Sequence, residues 1–221
     1  KRLSYSDLIK IIKPVELLLK NENPNLAFIK CRNNLKTIVN YLACLRAGTP
    51  ALLIEDDLDL ELYNNLVKIY NPKYILSEKI VTNDVETLCS EKLGLLLSTS
   101  GSTGNSKLVR LSYENIQENA RSIVKYLNIS NSNIPISTLP FSYSYGLSII
   151  NSYLLAGATI VLSEYSIVSR KFWEVLKKEK VNSISGVPYT YEMLHRLRFK
   201  EMKLKHLKIM TQAGGDLNEK L

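Results

Sequence analysis

The chain has 221 residues, of which 45% are hydrophobic and 23% charged, a balance typical of a globular protein with a substantial core. Its net charge of +8 comes from lysines spread along the chain, so we do not expect it to bind nucleic acid. Three cysteines without CxxC spacing argue against a zinc or disulfide framework and favour a reducing cytoplasm, and no apolar run reaches the roughly eighteen residues of a membrane span.

Helical and strand-like patterns alternate along the first hundred residues. Ser4 and Asp7 have the spacing of a capping box, at the start of a helix that includes Pro14. Asn34 begins a second helix that Gly48 ends. The pattern predicts helices over 4–21, 34–48 and 57–70, and strands over 26–31, 51–54, 73–76 and 93–98. This alternation predicts a parallel sheet, and such sheets bind ligands beyond the carboxyl ends of their strands.

A run of small and hydroxylated residues follows the strand predicted at 93–98. Ser98 to Lys107 reads STSGSTGNSK, between the apolar residues Leu95–Leu97 and Leu108–Val109. Small residues let a backbone approach a ligand closely and direct successive N–H groups at an anion. The hydroxyls add hydrogen-bond donors, and Lys107 adds a positive charge. The run therefore predicts a phosphate-holding loop between two strands.

Two other interpretations of this run fit less well. A flexible Gly/Ser linker rarely has strand-like apolar residues on both sides and one lysine at its end. The P-loop pattern GxxxxGK[ST] nearly fits from Gly101, but Ser106 replaces its second glycine and Leu108 its magnesium-binding hydroxyl.

The alternation continues after the loop. Ser112 caps a helix that runs to about Leu127. Further strands are predicted over 134–139, 159–162, 183–185 and 207–211, and further helices over 149–155, 169–179 and 189–197. Three connections draw attention: the aromatic segment 139–147, residues 186–189, and residues 212–217. By residue type alone these could equally be core filling, a strand-to-helix turn with proline at the first helical position, and a simple turn.

STSGSTGNSK resembles the signature loop of the adenylate-forming superfamily, which includes acyl-CoA synthetases, peptide-synthetase adenylation domains and luciferases. The usual form is close to TSGSTGxPKG, and Thr99 to Gly104 and Lys107 match it. Ser106 replaces the proline of that pattern, and Leu108 replaces its final glycine.

The three connections are similar to other segments of the same superfamily. Residues 139–147 resemble LPxxHxxG, with Tyr143 where many acyl-CoA synthetases have histidine. Tyr143 would act there as a gate or as a hydrogen-bond donor to a carboxylate, without the positive charge that an imidazole can carry. Gly186-Val187-Pro188 resembles the GVP segment that lines the acyl pocket, and residues 212–217 resemble the segment packed against adenine.

The resemblance implies an α/β fold with two similar parallel-sheet subdomains, as in the N-terminal domain of an adenylate-forming enzyme truncated before its C-terminal domain. We expect residues 26–130 to form the first subdomain, and residues 1–25 with 131–221 to form an incomplete second one. Because the chain begins with Lys1 rather than Met, we expect a processed or trimmed polypeptide.

The function implied by the resemblance is an AMP-forming acid ligase similar to acyl-CoA synthetases. It would activate a small carboxylic acid as acyl-AMP with release of pyrophosphate, then transfer the acyl group to CoA, a carrier-protein thiol or an amine. ATP and Mg²⁺ would be required, with most Mg²⁺ ligands beyond residue 221, where the family motif YGxTE is expected. A non-catalytic nucleotide-binding module is the alternative.

The resemblance also assigns residue roles. Lys107 and Tyr143 are the predicted catalytic residues, and no residue is predicted to bind metal. The predicted nucleotide-binding residues are Thr99, Ser100, Gly101, Ser102, Thr103, Gly104, Lys107, Ala213, Gly214, Gly215 and Asp216. The predicted acyl pocket consists of Tyr143, Gly146, Gly186, Val187 and Pro188.

Overall fold

The structure is a computed structural model that describes residues 2–98 and 108–217. The chain divides into two compact units, Lys1–Ile116 and Gln117–Leu221. The helices are α1 (Tyr5–Leu19), α2 (Leu35–Ala47), α3 (Leu60–Tyr70), α4 (Tyr113–Leu127), α5 (Ser144–Leu155), α6 (Arg170–Lys178) and α7 (Pro188–Arg196), with a 3₁₀ helix at Phe199–Met202. The strands are β1 (Ala27–Cys31), β2 (Ala51–Glu55), β3 (Tyr74–Leu76), β4 (Ile80–Thr82), β5 (Leu93–Ser98), β6 (Leu108–Ser112), β7 (Pro135–Ile136), β8 (Ser183–Gly186) and β9 (Ile209–Gln212).

The sheet of the first unit has the strand order β4-β3-β1-β2-β5-β6. Its four inner strands are parallel, as predicted from the βα alternation. The edge strands β4 and β6 are antiparallel to their neighbours, so the sheet is mixed. β4 was not predicted, because three residues with exposed or half-buried side chains give too short a pattern to detect.

Local signals set the helix boundaries in this unit. The Asn34 side chain accepts a hydrogen bond from the Thr37 backbone N–H at 3.1 Å, and Gly48 ends α2 in the left-handed conformation with φ +70°. The predicted start and end of α2 are thus confirmed. β1 and β2 are buried along most of their length, as parallel strands covered on both faces require, and Phe28, Leu52 and Leu96 share one core cluster.

The N-terminal helix α1 packs against α2, not on the second subdomain as we expected. Ser4 and Asp7 form the predicted capping box, and the helix runs through Pro14. Glu16 of α1 accepts a hydrogen bond from Arg46 of α2 at 2.8 Å, which lowers the pKa of that carboxyl. Thr49 donates to the Leu19 carbonyl at 3.1 Å. These contacts assign α1 to the first unit, so its predicted packing is wrong, and the unit boundary lies nearer to 116 than to 130.

The second unit is built on the parallel sheet β7-β8-β9. Its core cluster includes Ile136, Trp173 and Ile184. The strand predicted over 134–139 is reduced to Pro135–Ile136, and the strand predicted over 159–162 is a single bridge between Ile136 and Val161. In place of a longer ladder, the Ser137 hydroxyl accepts a hydrogen bond from the Ser163 N–H at 2.9 Å.

The helix predicted over 149–155 begins five residues earlier, at Ser144. Tyr143 is therefore its N-cap residue, and Gly146 lies in its first turn. Within residues 2–98 and 108–217, no helix combines the length and the apolar character needed to cross a lipid bilayer.

Candidate functional site

Thr99–Lys107, most of the predicted phosphate loop, lie outside the described residues. The structure does define the strands on either side of them. β5 ends at the exposed Ser98, which pairs with Leu108 at the start of the antiparallel strand β6. Since β5 is parallel to β2, residues 99–107 begin at the carboxyl end of a parallel strand, where α/β sheets bind ligands.

The three connections identified in the second unit come together at one edge of its sheet. Tyr143 precedes α5, Val187 and Pro188 directly follow β8, and Gly214 and Gly215 follow β9. A Cβ atom on Gly214 would lie 2.8 Å from the Tyr143 hydroxyl oxygen and 3.3 Å from a Val187 methyl, and one on Gly215 would lie 3.3 Å from the Pro188 ring. The structure therefore places residues predicted for the acyl pocket directly against residues predicted for adenine.

Two buried glycines make this convergence possible. A Cβ on Gly146 would lie 2.1 Å from the Pro140 carbonyl oxygen, so α5 can start this close to the preceding chain only with glycine there. A Cβ on Gly186 would lie 2.6 Å from the Thr190 side chain. The Thr190 hydroxyl accepts a hydrogen bond from the Val187 N–H at 3.2 Å, which fixes the start of α7.

The Gly214–Gly215 turn presents exposed backbone without side chains. Both residues have positive φ angles, +90° and +153°, in the region that favours glycine. The Gln212 side-chain amide donates to the Gly215 carbonyl at 2.7 Å, and the Ala213 N–H approaches the Gly186 carbonyl at 3.4 Å. Asp216 follows with an exposed side chain. Such a turn offers a flat surface on which a planar ring can stack.

A chain of hydroxyl groups lies at the same edge, and its serine and threonine members were not singled out from the sequence. The Tyr145 and Thr211 hydroxyls are 2.9 Å apart, and Thr211 Oγ1 donates to Ser185 Oγ at 2.8 Å. Thr138 donates to the Ser185 carbonyl. These residues stand beside the recognised segments, since Ser185 precedes Gly186 and Thr211 precedes Gln212. Ser185 and Thr211 end predicted strands, and this position, where α/β sheets bind ligands, is the signal by which the sequence could have identified them.

Two further groups add to the polarity of this edge. The Tyr191 hydroxyl donates to the Thr211 carbonyl at 2.7 Å, and burial, with a smaller contribution from Tyr145, raises the pKa of Tyr191 to about 12. Tyr191 therefore stays a neutral donor at neutral pH. The buried Ser142 hydroxyl, next to Tyr143, has no hydrogen-bond partner among the described residues.

Residues 76–221 match the family described as AMP-binding enzyme. The chain belongs to this family. The match includes the signature run and all three connections that converge in the second unit, and it confirms the resemblance to adenylate-forming enzymes that those residues indicated.

Relatives within this family extend well beyond the length of the chain. D-alanine–D-alanyl carrier protein ligase from Bacillus licheniformis is 23% identical over 206 residues, covering 81% of this chain and 41% of the relative. ATP-bound MatB from Rhodopseudomonas palustris superposes with a TM-score of 0.81 at 20% identity, covering 97% of this chain and 50% of that one. The chain thus spans about half the length of these two proteins, or less.

A third protein of similar structure was solved with a reaction intermediate bound. o-Succinylbenzoate CoA synthetase (MenE) from Bacillus subtilis, in complex with the acyl-adenylate intermediate OSB-AMP, superposes with a TM-score of 0.80 at 18% identity. The match covers 98% of this chain and 63% of that one. At these identities the superpositions establish the α/β fold of the N-terminal domain of adenylate-forming enzymes.

The described part of this chain contains no ligand set for the Mg²⁺ ion that the family implies. Across residues 2–98 and 108–217, no three His, Cys, Asp or Glu side chains lie close enough together to hold a metal ion. The exposed Asp216 is a single carboxylate at the edge of the site. We therefore assign no step of the chemistry to a metal held by these residues.

Proposed function

We propose that this chain forms the nucleotide-binding and acid-binding part of an enzyme that activates a carboxylic acid as acyl-AMP. A carboxylate oxygen would attack the α-phosphorus of ATP, the bond to the β-phosphate oxygen would break, and pyrophosphate would leave. The acyl group would then pass to CoA, a carrier-protein thiol or an amine, with release of AMP. The convergence of Tyr143, Val187 and Gly214 at one sheet edge is the observation that carries the proposal.

Each part of the site has a distinct role in this reaction. The Gly214–Gly215 backbone would receive the adenine ring, because a side chain there would occupy the surface. The segment from Thr99 to Lys107 would neutralise the phosphates with N–H groups, hydroxyls and one ammonium, an electrostatic role. Tyr143 and Val187 would border the acid. No residue of the chain needs to act as a nucleophile, since the substrate carboxylate supplies it.

The polar character of the site edge supports a small acid with at least one polar substituent. Tyr145, Ser185 and Thr211 form a chain of linked hydroxyls there. A polar substituent could add a hydrogen bond to these oxygens that a purely alkyl chain cannot make, a net gain of about 0.5–1.5 kcal/mol for each bond. A hydroxyl, amino or second carboxyl group could make such a bond.

A pyrophosphate-release screen tests the proposal. The enzyme assayed should contain this sequence followed by the YGxTE motif and C-terminal domain expected from the resemblance, with short polar and alkyl acids compared at equal concentration. We expect acid-dependent release of pyrophosphate, strongest with a polar acid. ATP binding without release for any acid would instead support the non-catalytic nucleotide-binding module.

The 221-residue polypeptide assayed alone is expected to show no acid-dependent exchange of pyrophosphate into ATP. It contains no YGxTE motif, and its described residues form no metal cluster, so charge on the departing pyrophosphate would be poorly stabilised. The measurement is isotope exchange with and without acid, alongside the longer protein as a positive control. Robust exchange by the short chain would contradict this prediction.

Replacing Gly214 with alanine should raise the KM for the acid about tenfold in the longer protein. The new methyl would meet the Tyr143 hydroxyl oxygen at 2.8 Å, and the tyrosine side chain would have to move within the site. Backbone strain at φ +90° would cost about 1–3 kcal/mol of stability as well.

Gly157→Ala is the matched control for this substitution. Gly157 has a similar left-handed φ of +71°, yet its nearest neighbour to a Cβ is 3.8 Å away, so strain arises without a collision. Steady-state kinetics with the acid varied should show an effect for Gly214→Ala and little for Gly157→Ala. Equal effects would mean that backbone strain alone is responsible.

A further inference from the structure

A groove in the second unit lies at the opposite edge of the sheet from the candidate site. It is a cavity of about 340 Å³ between the end of α6 and the segment that leads into β9. The half-buried side chains of Met202, Leu204 and Leu207 line it, together with the buried core residues Leu176 and Val181, the latter just before β8. We call this cavity the basic groove. The candidate site, with Tyr143, Val187 and Gly214, lies at the carboxyl ends of the strands. The basic groove lies at the amino ends of the same strands, so it is separate from the segments predicted to bind acid and nucleotide.

Positive charge surrounds the apolar lining of the basic groove. Lys177, Lys203 and Lys205 line it and are exposed, and none of the groove's lining residues is acidic. Among the described residues, none of these three lysines forms an ion pair with a carboxylate. The neighbouring Glu201 lies 4.0 Å from Arg198. Residues 195–208 contain one acidic residue and six basic ones, namely Arg196, Arg198, Lys200, Lys203, Lys205 and Lys208.

This combination of shape and charge selects one kind of occupant. An apolar depression binds aliphatic or aromatic side chains, because their burial releases water from both surfaces. Unpaired lysines at the rim favour carboxylates and disfavour basic partners. An amphipathic peptide segment presents both features together, with apolar side chains on one face and charges beside them.

We propose that the basic groove docks an acidic amphipathic segment of a partner protein. The apolar side chains of the segment pack against Met202, Leu204 and Leu207, and its Asp or Glu residues pair with Lys177, Lys203 and Lys205. This inference is independent of the proposed reaction, since it uses none of the residues assigned to ATP or acid.

The test uses the 221-residue chain and a fluorescent synthetic peptide. The probe peptide has leucines at helical positions i, i+3, i+4 and i+7 with glutamates between them, and the control peptide has the same composition in scrambled order. We expect fluorescence anisotropy to show probe binding that weakens with added salt, and scrambled-peptide binding at least about tenfold weaker.

Two neighbouring lysines of α6 provide a matched pair of variants. Lys177 lines the groove and Lys178 does not, although both are exposed residues of the same helix. Lys177→Glu should weaken probe binding about five- to tenfold, and Lys178→Glu less than about twofold. Circular dichroism verifies that both variants fold.

Three results would overturn the proposal. Equal weakening by Lys177→Glu and Lys178→Glu would show that only net charge attracts the probe. Equal binding of the scrambled peptide would show that the apolar lining is not used. Groove-dependent binding to single-stranded RNA or phosphatidylserine vesicles without peptide binding would assign the surface to a different class of partner.

Discussion

Lys107→Ala is expected to lower kcat/KM for ATP about a hundredfold in the protein that includes the complete family motifs. The reason is the position of Lys107 at the end of a run of small, hydroxylated residues that suits a polyphosphate. In our proposal its ammonium supplies positive charge where pyrophosphate develops, and a methyl group cannot. The acid, bordered by Tyr143 and Val187 in our proposal, should bind almost unchanged.

Two companion variants sharpen this prediction. Lys107→Arg keeps the positive charge and should retain more activity than Lys107→Ala, although the bulkier guanidinium can fit less well. Lys125→Ala, at an exposed position of α4, controls for the loss of one charge from the protein. Steady-state kinetics with ATP and acid varied separately distinguish the outcomes. A rise only in the KM for the acid would remove the phosphate-binding role of the loop.

Gly146→Ala should lower the free energy of unfolding of the second unit by about 1–3 kcal/mol. In an ordinary helix the same change is stabilising by about 1 kcal/mol, because alanine has the higher helix propensity. Here the new Cβ would lie 2.1 Å from the Pro140 carbonyl oxygen and 3.0 Å from its carbon. Backbone atoms cannot rotate out of the way as a side chain can, so the start of α5 must shift.

Fluorescence of the single tryptophan can measure this loss of stability. Trp173 belongs to the core cluster of the second unit, so its emission during a urea titration reports on that unit. Ser148→Ala, in the same helix, is the control. It removes only a bond from the Ser148 hydroxyl to the Tyr145 carbonyl, and we expect a near-neutral effect. A stable Gly146→Ala protein would show that the chain near Pro140 adapts easily.

Local signals in the sequence were sufficient for most elements of the first unit. Asn34 caps α2, and Gly48 ends it in a left-handed conformation that few other residues adopt. The apolar runs at β1, β2 and β5 predict buried parallel strands, since a strand covered on both faces needs apolar residues on both sides. Each of these signals acts within a few residues of the structure that it specifies.

The errors concern features that depend on distant partners. α1 was expected on the second subdomain, but its place is set by Arg46 and Thr49, which lie about thirty positions further along the chain. β7 is two residues long, and beyond the Ile136–Val161 bridge the Ser137 side chain, not the backbone, accepts the hydrogen bond from the Ser163 N–H. A sequence pattern shows that a residue is apolar or polar, but it does not show which surface the residue will meet.

The sequence by itself determined the α/β class, the family resemblance and the segments that carry the candidate site. Phosphate binding requires small, hydroxylated residues, and tight turns at strand ends require glycine. Both requirements can be recognised from residue types alone. Only the tertiary structure decided that Tyr143 lies against Gly214, that Ser185 and Thr211 join one hydroxyl chain, and that lysines from α6 and 203–205 surround one groove. Parallel strands bring together residues tens of positions apart, and the contacts they form depend on strand order and register, which no local pattern specifies.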